Sequence, residues 1–171
     1  MKVLISGSRD YNYYGVFKRA MIDVLSELQY NLYFRKKDVE IVEGGAWGVD
    51  YMARRFAKES NYTLKDFPAD WDNLDPQKEK VSVAYNQYTG TNFNKLAGIN
   101  RNIKMMDYIN SSAKKVIVIF QMDKSKGAQS VLDMGIKSKH PMYHFEISSK
   151  KEDCLKLNTY NTESIWVKKY S

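Results

Sequence analysis

Val39-Glu40-Ile41-Val42-Glu43-Gly44-Gly45-Ala46-Trp47-Gly48-Val49-Asp50 changes its hydrophobic rhythm halfway along. Val39 to Val42 reads as a strand that Gly44-Gly45 ends. From Trp47 to about Ser60, Val49, Met52, Ala53, Phe56 and Ala57 recur at helical spacing. The same grammar holds at two other places. Val3-Leu4-Ile5 is followed by Gly7-Ser8-Arg9-Asp10, and Val116-Ile117-Val118-Ile119-Phe120 leads to Lys126-Gly127-Ala128. A glycine turn between a buried strand and a helix leaves backbone N–H groups unpaired, and the helix dipole adds positive charge there. Such a turn suits a phosphate. Three of them on one sheet would share its carboxyl edge, where open α/β sheets bind ligands.

Working outward, Val16, Phe17, Ala20, Met21, Val24, Leu25 and Leu28 form one apolar stripe on a helix over 16–30. Residues 31–38 read as a polar surface connection. Thr63–Phe67 is a third strand stopped by Pro68, Gly98–Tyr108 a short helix, Lys115–Phe120 a strand and Gly127–Lys137 a helix. Met142–Phe145 is a fifth strand, and Ser164-Ile165-Trp166-Val167 is a candidate in the tail. Alternating strands and helices without hairpins predict an α/β fold, an open, mainly parallel sheet with helices on both faces. Residues 73–96 are polar and show no sustained period. They are expected to form an inserted functional loop in a single domain spanning 1–171, with a C-terminal extension over about 146–171.

The 171 residues suffice for a core without disulfides, and a lone cysteine, Cys154, fits a reducing compartment. No apolar run is long enough for a signal-peptide core or a membrane span, so a cytoplasmic protein without membrane partners is expected. Net charge is +7. Residues 1–100 carry 14 Lys/Arg against 13 Asp/Glu, whereas residues 101–171 carry 13 against 7. A basic second half attracts phosphates or nucleic acid, although scattered lysines also make an ordinary solvated surface. His140 and His144 are separated by Pro141, which forbids a one-face helical zinc pair, and no Cys/His cluster has metal-ligand spacing. No metal and no cofactor are expected. A homo-oligomer is compatible with the sequence.

These stretches, together with Phe67-Pro68-Ala69-Asp70-Trp71, Ala97-Gly98-Ile99-Asn100-Arg101-Asn102 with Met105 or Met106, and Lys124-Ser125-Lys126-Gly127, resemble the SLOG superfamily. That Rossmann-like group includes the DNA-processing protein DprA and the cytokinin-activating LOG enzymes, and the resemblance is to its YspA type, over about residues 2–145. It implies a nucleotide or nucleotide-derived ligand. The chain departs from the pattern at Trp47, where arginine is common, and at Ala128, where a threonine often stands. Val131 takes the place of the LOG catalytic glutamate.

The expected ligand-binding residues are Gly7, Ser8, Arg9, Gly44, Gly45, Ala46, Trp47, Gly48, Trp71, Arg101, Asn102, Lys126 and Gly127. Arginine offers a planar charged fork for phosphate; the alternative is an Arg9–Asp10 surface turn with Asp10 as a helix cap. The glycines serve either ligand approach or tight strand–helix packing. Arg101 and Asn102 either clamp a phosphate and sugar or solvate a helix start. Trp47 either stacks on a base or fills the core. The catalytic candidates are the carboxylates Asp50, Asp10 and Asp70, which would stabilise positive charge on a sugar as a base departs. Asp50 at a helix start has an ordinary alternative in the dipole.

The expected function is thus nucleotide binding at the sheet edge with hydrolysis or exchange of the N-glycosidic bond. The competing readings are a non-catalytic sensor of a nucleotide-derived signal and DprA-like binding of single-stranded nucleic acid.

Overall fold

The computed structural model describes residues 1–163. The elements in chain order are β1 (Lys2–Gly7), α1 (Tyr14–Leu32), a 3-10 turn (Lys36–Asp38), β2 (Glu40–Glu43), α2 (Val49–Glu59) and β3 (Thr63–Asp66). There follow β4 (Val83–Asn86), β5 (Thr91–Asn94), α3 (Ala97–Asn110), β6 (Lys115–Met122), α4 (Lys126–Lys137), β7 (Met142–Ser148) and β8 (Lys151–Tyr160). Six strands form one sheet in the order β3-β2-β1-β6-β7-β8, parallel except for β8. The α/β, Rossmann-like arrangement expected from the glycine turns is the one observed.

The central strands read as continuous apolar runs because both faces are covered. Val3 and Ile5 of β1 and Val118 and Phe120 of β6 pack with α1 and α2, around Phe17, Met21 and Phe56. Leu4, Ile117 and Ile119 point the other way, to Met105, Met106 and Ile109 of α3 and Val131 and Leu132 of α4. Each such fully buried aliphatic side chain stabilises the fold by about 1.5–3 kcal/mol. The stripe on α1 is buried at Phe17, Ala20, Met21, Val24, Leu25 and Leu28 and half-buried at Val16.

Three readings are corrected. The connections are not hairpin-free: β7 and β8 pair antiparallel, so residues 146–160 complete β7 and add an edge strand. Residues 73–96 are not a structureless loop, since β4 and β5 form an antiparallel pair with Val83 opposite Asn94. It is rooted by polar contacts: the buried Asn94 amide donates to the Lys80 carbonyl at 3.0 Å while its oxygen accepts from the N–H groups of Ser82 and Leu96, both at 3.0 Å. Arg101 and Asn102 do not start α3 but stand in its second turn. The strand candidate Ser164–Val167 lies outside the described residues. Among the described residues no helix is long and apolar enough to cross a membrane.

Candidate functional site

From β1 the chain winds outward through β2 to β3 and then returns to place β6 on the other side of β1. The β1–β6 boundary is therefore the switch point of the sheet, and ligands of open α/β folds bind outside it. A cavity of about 400 Å³ opens there, lined among others by Gly7, Arg9, Asp50, Arg101, Lys126 and Gly127. A second of about 330 Å³ shares Arg9, Ala46 and Arg101 with it and adds Trp47 and Trp71. A third, of about 340 Å³, lies between Arg9, Trp71 and the β4–β5 hairpin. Arg9 borders all three.

In the turn after β2, side chains of the chain itself occupy two of the amides. Gly45 N–H donates to Glu43 Oε2 at 2.6 Å, and Ala46 N–H donates to Asp50 Oδ2 at 3.2 Å. Glu43 is fully buried and held by Arg54, whose Nε and Nη2 donate to its Oε1 at 3.1 and 2.8 Å. The glycines here answer to close packing. A Cβ at Gly44 would overlap the Arg101 guanidinium, and one at Gly48 (φ +70°) would strike the carbonyls of Ser8 and Arg9. At Gly45 (φ +73°) it would come 3.1 Å from Pro68 Cα, and at Gly7 it would meet Val49.

Beneath this turn Asp50 and Arg101 form a buried ion pair, Nη1 to Oδ2 at 3.2 Å. Nη1 also donates to the Gly44 carbonyl, and Nε donates to Asn102 Oδ1 at 2.8 Å. Burial pushes the Asp50 carboxyl above the usual range, opposed by the Arg101 charge and the Ala46 amide. Burial pushes Arg101 below its ordinary value, against the pull of Asp50. Desolvation likewise raises Glu43, with Arg54 opposing. Such a pair fixes geometry more surely than it adds stability. The Nη2 group of Arg101 makes no hydrogen bond among the described residues, and Arg101 borders both cavities.

The turn after β6 is different. Ser125 precedes α4 without a side-chain cap, so the first N–H groups of the helix keep no protein acceptor among the described residues. A Cβ at Gly127 would meet nothing within 4 Å. Ser125, Ser130, Lys126, Lys95 and Arg9 all face the same cavity. Among the described residues no carboxylate forms an ion pair with Arg9, Lys95 or Lys126.

The turn after β1 feeds no helix directly, because α1 begins only at Tyr14. Ser8 is buried there: its N–H donates to the Phe120 carbonyl at 2.9 Å and its hydroxyl accepts from Met122 N–H at 2.8 Å. Its polar groups tie β1 to β6. Arg9 is exposed, its guanidinium 5.5 Å from the centre of the Trp71 ring. Trp47 is 77% exposed and tilted against Tyr51, which removes it from the core. Asp10 is exposed and borders the first cavity, whereas Asp70, also exposed, borders none of the three. Asn102 is buried beside Arg101 and reaches Ser130 weakly at 3.5 Å.

Sequence reasoning missed Glu43, Lys95, Ser125 and Ser130. Glu43 falls between the strand Val39–Val42 and the paired glycines, and Lys95 reads as part of a polar loop. Ser125 could have been found as the residue directly before a helix.

His144 Nε2–H donates to Gln121 Oε1, 2.9 Å away, and the residue borders a different cavity with Gln129 and Tyr160. Among the described residues no cluster of three His, Cys, Asp or Glu could hold a metal ion.

Val131 and Ala128 are fully buried in the α3–α4 core, so a LOG-type glutamate has no counterpart there; Ser125 and Ser130 supply the hydroxyls at this turn. No curated protein and no solved structure matches the chain. Residues 1–73 match the family model described as YspA, cpYpsA-related SLOG family (YAcAr), so β1 through β3, with Gly7–Asp10 and Gly44–Asp50, carry the family that the sequence resembles.

Proposed function

We propose that the groove binds a nucleotide or nucleotide-derived ligand with its phosphate at the start of α4 and its base between Trp47 and Trp71. The observation that carries this reading is the uncapped N-terminus of α4, which shares one cavity with Arg9, Lys95 and Lys126, and among the described residues none of these three forms an ion pair, although Asp10 and Asp50 also border the cavity. Amide donors, a helix dipole and cationic side chains in one recess favour a phosphate over a neutral group. The exposed Trp47 and the indole of Trp71 border the adjoining recess, and aromatic faces accept any base. This reading puts the phosphate at α4 and not on the turn after β2, where Glu43 holds the Gly45 amide and Asp50 the Ala46 amide.

Asp50 is the buried carboxylate that borders this groove, and it is bonded to Arg101, which borders both recesses. That placement supports its use at the sugar during hydrolysis or exchange of an N-glycosidic bond, by stabilising charge on C1. A second reading, a sensor without turnover, has its own support: Asp50 Oδ2 is already engaged by Arg101 and Ala46, and the LOG glutamate position is core.

The test is isothermal titration with the common nucleoside monophosphates and the matching nucleosides, followed by chromatography for free base. Tight binding of a monophosphate over its nucleoside supports the site. Free base then separates enzyme from sensor. Equal affinity for both members of every pair overturns the phosphate assignment.

A further inference from the structure

The third cavity is built by a segment that the resemblance to the YspA type does not supply. Its walls are Asn86, Thr89, Thr91 and Phe93 of the β4–β5 hairpin, facing Arg9 and Trp71. It joins the nucleotide groove at Arg9, which borders all three recesses, and at Trp71, whose indole it shares with the Trp47 recess. Its chemistry is distinct. Among the described residues Arg9 is its only cation and Asp72 its one carboxylate, and the hairpin contributes an amide and two hydroxyls around the ring of Phe93. Thr89 and Thr91 hydroxyls lie 2.8 Å apart, so each can donate to the other or to a guest. Asn86 Oδ1 is committed to the turn, accepting from the N–H groups of Tyr88 at 2.9 Å and Thr89 at 3.4 Å. Its amide NH₂ makes no hydrogen bond among the described residues, leaving a donor pair beside the threonine hydroxyls.

The hairpin holds this wall in place. Asn94 N–H donates to the Trp71 carbonyl at 2.8 Å, Lys95 N–H to the Ser82 carbonyl at 2.8 Å, and the Asn100 amide to the Lys80 carbonyl at 2.7 Å. Lys104 pairs with Glu79 at 2.9 Å. The wall is thus tied both to the β3–α3 connection and to α3.

We propose that this recess is a subsite for an uncharged, hydroxyl-rich group carried on the far side of the ligand's phosphate, so that the full ligand is a nucleoside diphosphate bearing a sugar. The proposal rests on the nucleotide reading above. Arg9 at the junction would bridge the phosphates, the Trp47–Trp71 recess would take the base, and the sugar would lie against Phe93 with its hydroxyls on Asn86, Thr89 and Thr91. A sugar presents an apolar face and a polar rim, which is what one ring among hydroxyls and an amide accommodates.

The experiment compares binding of ADP, GDP, CDP and UDP with ADP-ribose, GDP-mannose, CDP-glucose and UDP-glucose, by calorimetry at one salt concentration. For at least one base the sugar should tighten binding about tenfold, as one or two new hydrogen bonds would. The variant Thr91→Val keeps the side-chain shape and removes a hydroxyl. The variant Asn86→Asp keeps the oxygen that holds the turn and replaces the amide donors with a charge that repels phosphate-linked oxygens. In both, the advantage of the sugar should fall to less than about twofold while nucleoside monophosphate affinity stays near wild type. A melting temperature close to wild type for Thr91→Val establishes that the hairpin is intact. Binding of diphosphates with no gain from any sugar overturns the subsite and leaves the nucleotide groove standing. A gain that survives both substitutions overturns the hairpin as its source. Binding of no nucleotide in the panel removes both proposals together.

Discussion

The guanidinium of Arg101 occupies the space that any side chain at position 44 would need, 57 residues away in the chain. The paired glycines of the β2–α2 turn are therefore read by an arginine on α3 before any ligand arrives. Replacing Gly44 by alanine should eject that arginine and break its bond to Asp50. The expected cost is about 3 kcal/mol of stability, from overpacking and a stranded buried charge. Urea denaturation measures it. A Gly44→Ala protein as stable as wild type would show that Arg101 has another place to go.

Gly127→Ala separates packing from binding. The methyl group enters open space at the start of α4 and should leave stability unchanged or raise it by up to about 1 kcal/mol. Nucleoside monophosphate affinity should nonetheless fall, because the phosphate is expected over that backbone. Calorimetry and a melting curve on one preparation decide it. Unchanged affinity would move the phosphate away from α4.

Arg9→Ala removes an exposed guanidinium that borders all three recesses. Affinity for phosphorylated ligands should drop about 10- to 100-fold, the value of one or two charge-assisted hydrogen bonds. Nucleoside binding should change little. A parallel loss for both would mean that Arg9 shapes the groove through Trp71 and does not hold the phosphate.

Asp50→Asn distinguishes chemistry from recognition. An enzyme that relies on this carboxylate should lose turnover by orders of magnitude and keep its ligand, whereas a sensor should change affinity by about 1–2 kcal/mol at most. The same variant carries a pH signature. Burial raises the Asp50 carboxyl in the folded state, so its contribution to stability is present below the unfolded value of about 3.9 and is lost as pH rises through the folded value. The asparagine variant should lack that component of the pH–stability curve. Superimposable curves would mean that Arg101 cancels the burial penalty.

Glu59 provides an acid-side counterpart. It accepts from Lys18 at 2.8 Å, Arg55 at 2.7 Å and Tyr14 at 2.8 Å, joining α1 to α2. These partners, Lys18 foremost, pull its carboxyl down to about 2. Its contribution is therefore complete above the ordinary value of 4.5 and lost as pH falls through about 2. Glu59→Gln should flatten the loss of stability over that window in acid titrations followed by circular dichroism. An unaltered slope would mean that solvent screens the whole cluster.

Elements whose stability comes from burial were legible in the sequence. β1, β2, β6 and the stripes of α1 and α2 announce themselves because both faces of the central sheet are covered. The β4–β5 hairpin was not legible, since Val83-Ala84-Tyr85-Asn86 and Thr91-Asn92-Phe93-Asn94 lie largely in solvent and are held by amide hydrogen bonds around Asn94. β8 escaped for a related reason: as an edge strand it buries little, and Lys151, Asp153, Cys154, Lys156 and Leu157 are all exposed. At the site, the chain positions of the three turns were readable. The bonds that fix the turn after β2 were not, because Glu43 and Asp50 accept from its amides and Arg101 donates to its Gly44 carbonyl through contacts that no local spacing encodes.

The strand order has a consequence for any attempt to dissect this protein. β1 lies between β2, within residues 1–73, and β6, beyond them. A fragment ending at residue 73 would present six residues of β1 as a bare edge beside an exposed apolar face, inviting aggregation. It would also hold Arg9 and Asp50 but neither Arg101 nor the start of α4. The two pieces are better thought of as halves of a split reporter: inert apart, and recovering the groove only when co-expressed so that β6 can zip back onto β1.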